Sequence, residues 1–267
     1  MKPSRRSVSS LVAKVALLVA VFPLLAGCAT PNTYVLVHGA WQGSWAWEKV
    51  KTQLEKEGHK VVTVDLPAHG ADTTAFSEVS LQSYTDRVVQ ALDAQEGPVI
   101  LVGHSMGGTV ISNASEARPD KVKKAVYVAA YLLKDGDTLL HTSETDTESQ
   151  IGANLVFENG GATARIKPES LVNIFCADCS EADAARIRTN AGSEPLAPLT
   201  QPVKVTDANF GRVPRVYIET TKDLAVGPAL QRRMYTETPV EQVLTMDTGH
   251  SPFLSQPDAL ARHLLSL

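Results

Sequence analysis

The sequence predicts an α/β fold: a mostly parallel, doubly wound sheet with an inserted, mainly helical cap. Short β-branched runs alternate with amphipathic helical segments along most of the chain. The alternation stops between about residues 133 and 212, a stretch too long for a simple loop and typical of a cap. Residues 103–107 read G-x-S-x-G between a predicted buried strand and a predicted helix.

The N-terminal segment, residues 1–27, is predicted to be a signal peptide. It contains four basic residues, no acidic residue and the apolar run VALLVAVFPLLA, which is too short to span a bilayer comfortably. The sequence LAGC resembles the bacterial lipobox, which implies diacylation of Cys28 at the mature N-terminus. In the alternative, a plain secretory leader, Cys28 is incidental. We therefore expect an extracytoplasmic lipoprotein, at the outer membrane or facing the periplasm, whose residues 28–267 form the folded domain.

Charge and motif content exclude several function classes. The formal net charge is −4, and removal of the four basic residues of the leader lowers it to −8, which disfavours nucleic acid as a partner. No glycine-rich cofactor motif is present, so we expect no cofactor. We therefore interpret the three tryptophans, Trp41, Trp45 and Trp47, as residues of the core and of the pocket wall. Cys176 and Cys179 are spaced C-x-x-C, which allows a local disulfide, a redox pair or free thiols. We expect a structural role and no metal site, because zinc would need two further ligands nearby.

The elements follow in order from hydrophobic periodicity. The run at 98–103 is apolar on both faces, as a central parallel strand should be. Gly58 closes the first helix. The predicted strands cover 33–39, 59–67, 98–103, 124–132, 213–221 and 240–247, and the predicted helices cover 44–58, 81–95, 105–118, 227–237 and 256–266.

Ser105 is the candidate nucleophile. The small residues of G-x-S-x-G allow a sharp turn, which lifts the serine hydroxyl out of the sheet at a helix N-terminus. The pentapeptide alone is a weak signal, since a glycine-rich turn can simply pack. The strand before it and the helix after it supply the context that the motif requires.

A serine nucleophile needs a base and an acid that orients the base. His141, His250 and His263 follow Ser105 in the chain, and we predict His250 as the base because it alone lies in a loop directly after a predicted strand. Asp223 comes at the end of a strand and is the predicted acid. The alternatives are three: Asp247 in that role, Asp135 in that role, or Asp223 as a helix N-cap.

Acyl transfer also requires donors for the oxyanion, usually two backbone N–H groups. Met106 follows the nucleophile and is predicted to supply one. Ala40 is predicted to supply the other, because Gly39 lets the chain turn close to the site. We interpret His38 and His104, which flank these turns, as packing or hydrogen-bonding residues.

Six stretches together resemble one group of α/β-hydrolases, which contains plant methylesterases, plant hydroxynitrile lyases and their bacterial esterase relatives. The resemblance covers essentially the whole chain after the leader. It implies Ser105, Asp223 and His250 as a catalytic triad, Ala40 and Met106 as oxyanion donors, and a cap that shapes an apolar pocket. The stretches are YVLVHGAWQGSWAWEKV, GHKVVTVDLPAHG, VILVGHSMGG, DCSEADAA, RVYIETTKD with QRRM, and TGHSPFLSQP.

Two positions separate the two reactions of this group. The resemblance implies that a lyase would have lysine directly after the catalytic histidine and threonine after the first-strand histidine, whereas this chain has Ser251 and Gly39. Plant members usually have Asp where this chain has Gly249, so their pocket chemistry is not carried over. We expect a serine carboxylesterase that acts on a small-molecule ester, is bound to the membrane by a lipid anchor and needs no cofactor. The alternatives are a hydroxynitrile lyase, an amidase or a ligand-binding receptor.

Overall fold

The computed structural model of the chain describes Met1 and residues 31–267. The predicted leader after Met1 and the predicted lipidation site Cys28 lie outside the described residues. Pro31–Leu267 fold as one unit. Within that unit, no helix combines the length and the apolar character needed to cross a membrane.

A six-stranded sheet forms the centre of the fold, and every neighbouring pair of its strands is parallel. Its spatial order is β2-β1-β3-β4-β8-β9. The chain therefore places β2 on one side of β1, returns to place β3 on the other side of β1, and adds the later strands in order as far as β9. This order confirms the predicted doubly wound α/β sheet. The strands are β1 (Thr33–Val37), β2 (Lys60–Val64), β3 (Val99–His104), β4 (Val122–Val128), β8 (Arg215–Thr220) and β9 (Gln242–Met246).

The helices of the main body lie close to their predicted positions. Ser80 begins the second of them with a capping box, since its side chain accepts from Ser83 N–H and the Ser83 side chain accepts from Ser80 N–H. The predicted strand at 124–132 ends early, at Val128, because the chain turns at Ala129 with a φ of 45°. These helices are α1 (Glu48–Lys56), α2 (Leu81–Asp93), α3 (Gly107–Ala117), α8 (Pro228–Glu237), α9 (Pro252–Ser255) and α10 (Pro257–Leu265).

The cap, residues 133–212, has more helix than strand, but the segment that showed no strand–helix alternation in the sequence also contains strands. A small antiparallel sheet of order β5-β6-β7 lies within it. Its strands have four, four and two residues, which is too short for alternation to be recognised. The cap elements are α4 (Leu139–Ser143), β5 (Leu155–Glu158), β6 (Thr163–Ile166), α5 (Pro168–Cys176), α6 (Glu181–Asn190), β7 (Glu194–Pro195) and α7 (Ala197–Thr200).

The carboxyl ends of the parallel strands bring the chemistry together. All six residues of β3 are buried, and four of the five residues of β1 are buried. Ligands of open parallel sheets bind at the carboxyl edge of the strands. At this edge β3 leads into Ser105, β8 into Asp223 and β9 into His250.

Candidate active site

Ser105 occupies a sharp turn between β3 and α3. Its φ is 52°, a left-handed conformation that costs a non-glycine residue about 1–3 kcal/mol and that the surroundings must impose. The Ser105 carbonyl accepts from the N–H groups of Gly108 and Tyr131, both at 3.0 Å. Gly107 allows the close crossing beneath the turn, because a Cβ there would lie 2.7 Å from the His38 carbonyl oxygen. These contacts hold the serine at the cavity wall.

His250 and Asp223 form a buried pair. His250 Nδ1 lies 2.8 Å from Asp223 Oδ2, and both side chains are fully buried. A carboxylate accepts, so Nδ1 bears a hydrogen, and in a neutral ring Nε2 then has the lone pair. Nε2 has no hydrogen-bond partner among residues 31–267. Ser105 Oγ and Nε2 are therefore not hydrogen bonded in this structure, a separation common in unliganded sites.

Several donors hold the Asp223 carboxylate. Oδ1 accepts from the N–H groups of Ala225 and Val226, at 2.8 and 2.9 Å. Oδ2 accepts from Thr220 Oγ1 at 2.8 Å and from Gln231 Nε2 at 3.2 Å, in addition to His250. Gly227, not Asp223, is the N-cap residue of α8. The carboxylate is thus oriented toward the imidazole by its own loop and by α8.

The alternative acids and bases lie elsewhere. Asp247 is exposed and pairs with Lys222 Nζ at 2.8 Å, and Asp135 accepts from an exposed backbone N–H in the cap. His141 is exposed beside a glutamate. His263 lies on α10. Of the candidates, the structure brings His250 and Asp223 together.

The two predicted oxyanion donors face the same cavity. Ala40 and Met106 both line it together with Ser105. The N–H groups of Ala40 and Met106 donate to no acceptor within the described part of the chain. The loop that contains Ala40 approaches the serine closely, because a Cβ on Gly39 would lie 2.7 Å from Ser105 Cβ.

His38 and His104 lie beneath these turns, and both are fully buried. Leu66 N–H donates to His38 Nε2 at 3.1 Å, so the His38 Nδ1–H donates to the Gly39 carbonyl at 2.8 Å. Burial lowers the pKa of His38 to about 3. Burial also holds the pKa of His104 well below its usual range, and its Nε2–H donates to the His250 carbonyl at 2.8 Å. Both imidazoles stay neutral and act as hydrogen-bonding supports.

A cavity of about 610 Å³ opens over Ser105. Its floor comes from the segments that follow β1, β3, β4 and β8, and its walls come mostly from the cap. Most of its lining is apolar, and none of the described residues that line it is a lysine or an arginine. The apolar side chains include Trp41, Tyr131, Leu139, Ile151, Leu155, Phe175, Leu196, Leu199 and Val226.

Sequence reasoning missed three acidic or basic side chains that contact the loops of this site. Asp178 Oδ2 accepts from the N–H of Gly249, directly before His250, at 3.0 Å. A disulfide between Cys176 and Cys179 encloses Asp178. Glu194 and His69 contact the loop after β1. The DLPAHG stretch contains His69 and the DCSEADAA stretch begins at Asp178, but neither stretch indicates what these side chains contact. Glu194 lies in none of the quoted stretches.

The described residues form no candidate metal site. Among residues 31–267, the structure groups no three His, Cys, Asp or Glu side chains in a way that could hold a metal ion.

Comparisons with known proteins agree with the geometry. The alpha/beta hydrolase family matches residues 34–263. Methylesterase 7 of Arabidopsis thaliana is 31% identical over 247 residues, covering 88% of this chain and 95% of that protein. A chloroplastic Arabidopsis thaliana protein, named provisionally as methylesterase 11, is 34% identical over 251 residues; the match covers 88% of this chain and 64% of the length of that relative.

Solved structures show the same architecture. The crystal structure of a methylesterase from Arabidopsis has 26% sequence identity and a TM-score of 0.78, covering 88% of this chain and 98% of that chain. The structure of a pyrethroid hydrolase has 26% identity and a TM-score of 0.77, covering 89% and 97%.

Proposed function

Since the chain belongs to the alpha/beta hydrolase family, we propose that it is a serine carboxylesterase that hydrolyses small to medium apolar carboxylic esters. One observation carries the proposal. His250 donates to a buried carboxylate through Nδ1, and its Nε2 has no partner among residues 31–267. Its backbone carbonyl accepts from His104, the residue directly before Ser105, which occupies a left-handed turn at a cavity wall. A neutral imidazole in this tautomer is a general base for a serine hydroxyl.

The mechanism follows from these groups. The Ser105 hydroxyl attacks the ester carbonyl as His250 Nε2 takes its proton, and Asp223 stabilises the imidazolium that results. The N–H groups of Ala40 and Met106 donate to the oxyanion. The tetrahedral intermediate collapses as His250 gives the proton to the leaving alcohol. Water then attacks the acyl-enzyme as His250 Nε2 takes one of its protons. The second tetrahedral intermediate collapses as His250 returns that proton to Ser105 Oγ, which breaks the bond to the acyl carbon and releases the acid.

The lining of the cavity supports the substrate class. Apolar side chains bury apolar acyl or alcohol groups at about 25 cal/mol per Å². The lining contains the carboxylates of Glu144 and Asp146 and no basic side chain, so an ionised carboxylate on the substrate would meet no counter-charge. The relatives named methylesterases and the pyrethroid hydrolase agree with a neutral ester as substrate.

Ester turnover tests the proposal. We expect the full-length chain to hydrolyse p-nitrophenyl acetate and p-nitrophenyl butyrate, and Ser105→Ala to reduce kcat at least about 10³-fold. Ser266→Ala, at the end of α10 and outside the cavity lining, serves as the matched control and should retain wild-type kcat. A Ser105→Ala protein with wild-type turnover would rule out the mechanism, and ligand binding without turnover in the wild type would favour a receptor.

Cyanide release and amide cleavage are the competing reactions of the same triad. Ser251 is fully buried, and its hydroxyl has no partner among residues 31–267, so that position supplies no cation for a departing cyanide. Any side chain at Gly39 would collide with Ser105. We expect no cyanide from mandelonitrile and at most slow cleavage of p-nitroacetanilide under conditions in which p-nitrophenyl butyrate turns over.

The proposed membrane setting rests on the sequence alone. A lipid on Cys28 would hold the enzyme close to the membrane, because β1 begins at Thr33. In cells fed labelled palmitate, we expect the wild-type protein to become labelled and Cys28→Ser to remain unlabelled. Equal labelling of both proteins, or of neither, would exclude the anchor.

A further inference from the structure

A buried carboxylate of the cap contacts the loop that follows β1. Glu194, in β7, is fully buried. Its Oε2 accepts from the N–H of Trp41 at 2.8 Å and lies 2.8 Å from His69 Nε2, while its Oε1 accepts from the Tyr84 hydroxyl at 3.3 Å. A buried carboxylate is costly unless it is paired and hydrogen bonded. Glu194 meets both conditions, and one of its partners lies directly after Ala40.

The geometry around His69 indicates an imidazolium. Its Nε2 faces the Glu194 carboxylate and its Nδ1 faces the Pro67 carbonyl at 3.0 Å. A neutral imidazole has one N–H, so donation to both oxygens requires both nitrogens to be protonated. Burial by itself lowers the pKa of His69, but the Glu194 carboxylate outweighs burial and raises it above its usual value.

Three other ionisable groups surround this pair. The His38 ring lies 5.0 Å from the His69 ring and stays neutral. The Tyr84 ring lies 5.7 Å away; burial, and then Glu194, raise the pKa of its phenol, which keeps it neutral. Asp65 favours the charged form of His69. The counter-ion in direct contact with Glu194 is therefore His69.

The residue that Glu194 holds is strained. Trp41 has a φ of 62°, a conformation that a bulky residue adopts only where its neighbours impose it. Three hydrogen bonds to the cap do so: the N–H to Glu194, the indole Nε1–H to the Ala164 carbonyl at 2.9 Å, and the carbonyl from Gly192 N–H at 3.0 Å. The cap thus fixes the peptide that adjoins the Ala40 oxyanion donor.

We propose that Glu194, which pairs with His69 and accepts from the Trp41 N–H, is a positioning residue for the oxyanion hole. The inference rests on the proposed esterase function and assigns part of the catalytic geometry to the cap. Without the Glu194 acceptor, the Ala40–Trp41 peptide can rotate and Trp41 can leave its left-handed conformation. The change in the backbone of Ala40 then shifts the preceding Gly39–Ala40 peptide, so the Ala40 N–H loses its aim at the developing oxyanion. A fully lost oxyanion donor costs about 10²- to 10³-fold in kcat, so partial misalignment should cost about 10- to 100-fold.

The test compares three substitutions in the full-length chain with p-nitrophenyl butyrate. Glu194→Ala removes the acceptor, and we expect kcat to fall about 10- to 100-fold with KM within about threefold. Glu194→Asp keeps a carboxylate, but its side chain is shorter by one methylene, which moves the acceptor away from the Trp41 N–H. We expect kcat to fall by less than in Glu194→Ala. Glu194→Gln can keep an oxygen at the position of Oε2, where it accepts from the Trp41 N–H and from the Nε2–H of a neutral His69, while its amide group donates to the Tyr84 hydroxyl oxygen. This variant should therefore stay within about fivefold of wild-type kcat.

Inhibitors separate positioning from general destabilisation. An alkyl trifluoromethyl ketone forms an oxyanion with the serine, and its affinity should fall in Glu194→Ala and Glu194→Asp in parallel with kcat/KM. The affinity for butyrate, the product acid, should stay within about threefold, because binding of the product does not depend on oxyanion stabilisation to the same degree.

Asp183 provides a matched control. It is also a buried cap carboxylate, on α6, and pairs with Lys49 of α1 at 2.6 Å without contacting the Ala40 loop. Asp183→Ala should lower the thermal midpoint with kcat within about twofold. If Glu194→Ala folds but keeps wild-type kcat, or if trifluoromethyl ketone and butyrate affinities fall together, the positioning role is wrong. If Glu194→Ala does not fold, wild-type kcat in Glu194→Asp overturns it equally.

The two proposals fail in different ways. If Ser105→Ala loses the ester turnover of the wild type but the Glu194 variants keep wild-type kcat, only the positioning role is wrong. Absence of ester turnover in the wild type overturns both.

Discussion

At the residue scale, the geometry of the proposed triad depends on how the Asp223 carboxylate is held. Both of its oxygens accept from backbone or side-chain donors within its own loop and α8, which fixes the direction in which it faces His250. The orientation of the imidazole therefore depends on a charged acceptor that cannot rotate. Removal of that charge should leave the fold in place and disturb the tautomer.

We expect Asp223→Asn to lower kcat about 10³- to 10⁴-fold, because an amide can donate to His250 Nδ1 and so favour the tautomer with its hydrogen on Nε2. Asp247→Asn is the matched control, since Asp247 is exposed and pairs with Lys222. Steady-state kinetics with p-nitrophenyl butyrate measures both. An Asp223→Asn enzyme within tenfold of wild type would refute the assigned role.

Gly39 is the second residue at which a small change should be decisive. A Cβ there would lie 2.7 Å from Ser105 Cβ and 2.8 Å from His104 Nδ1, so Gly39→Ala must displace the oxyanion loop or the serine turn. We expect kcat to fall about 10²-fold, the loss seen when one oxyanion donor is removed. Gly97→Ala, where a Cβ meets nothing within 4 Å, should change neither kcat nor stability. Equal kinetics for the two variants would contradict the close approach.

Some residues of the site could be predicted from sequence and others could not, for a physical reason. Ser105, Asp223 and His250 follow strands, so strand periodicity together with the order of the chain places them at one edge. Glu194 and Asp178 lie in the cap, and their partners, Trp41 and Gly249, are distant in sequence. Only the packing of the cap brings these contacts about.

At the element scale, the hairpin between α5 and α6 carries the disulfide of Cys176 and Cys179. It also presents Asp178 to Gly249, beside His250. The C-x-x-C spacing had left a disulfide, a redox pair and free thiols open, and the structure contains the disulfide. Its loop is short, so its effect on the unfolded chain is small.

We expect reduction of this disulfide to lower the free energy of unfolding by about 2 kcal/mol, the amount that loop closure gives for so short a loop. Urea unfolding of the wild type with and without dithiothreitol measures the difference. Cys179→Ser is the control, because its unfolding midpoint should not respond to the reductant. Identical wild-type midpoints in both conditions would show that the disulfide contributes nothing.

The elements of the main sheet were predictable because most strands contain apolar, β-branched runs and because, apart from β4, each is followed by a helix of the main body. The cap sheet was not, since β5 has four residues of which two are exposed, and β7 has two residues. Such strands are too short for alternation to develop. Their pairing depends on long-range contacts such as Trp41 Nε1–H with the Ala164 carbonyl of β6.

At the scale of the whole molecule, buried histidines set the pH dependence of stability. His38 and His104 have lowered pKa values, so below about pH 6.5 the unfolded chain binds protons that the folded chain does not, and stability falls as pH falls. His69 has a raised pKa. Its contribution is complete below about pH 6.5 and is lost as pH rises through the raised value.

From these opposite effects we expect the free energy of unfolding to be greatest near pH 6.5. It should fall more steeply toward acidic pH than toward alkaline pH. Each histidine contributes about 1.4 kcal/mol per pH unit within its window. Urea unfolding at pH 5 to 9 measures this dependence. In His69→Gln, the decrease in the free energy of unfolding above pH 6.5 should become smaller, and the decrease below pH 6.5 should stay the same. A free energy of unfolding that rises steadily from pH 7 to 9 would contradict the assignment of His69 as an imidazolium.

The esterase proposal depends on one covalent bond, between Ser105 Oγ and the acyl carbon of the substrate. A fluorophosphonate that mimics the ester traps the same oxygen, and peptide mass spectrometry locates the adduct. We expect a single adduct on Ser105 in the full-length chain, formed at least about 10²-fold more slowly in His250→Ala and absent from Ser105→Ala. An adduct on another residue, or ester turnover that continues undiminished in a protein whose Ser105 is fully modified, would contradict the account.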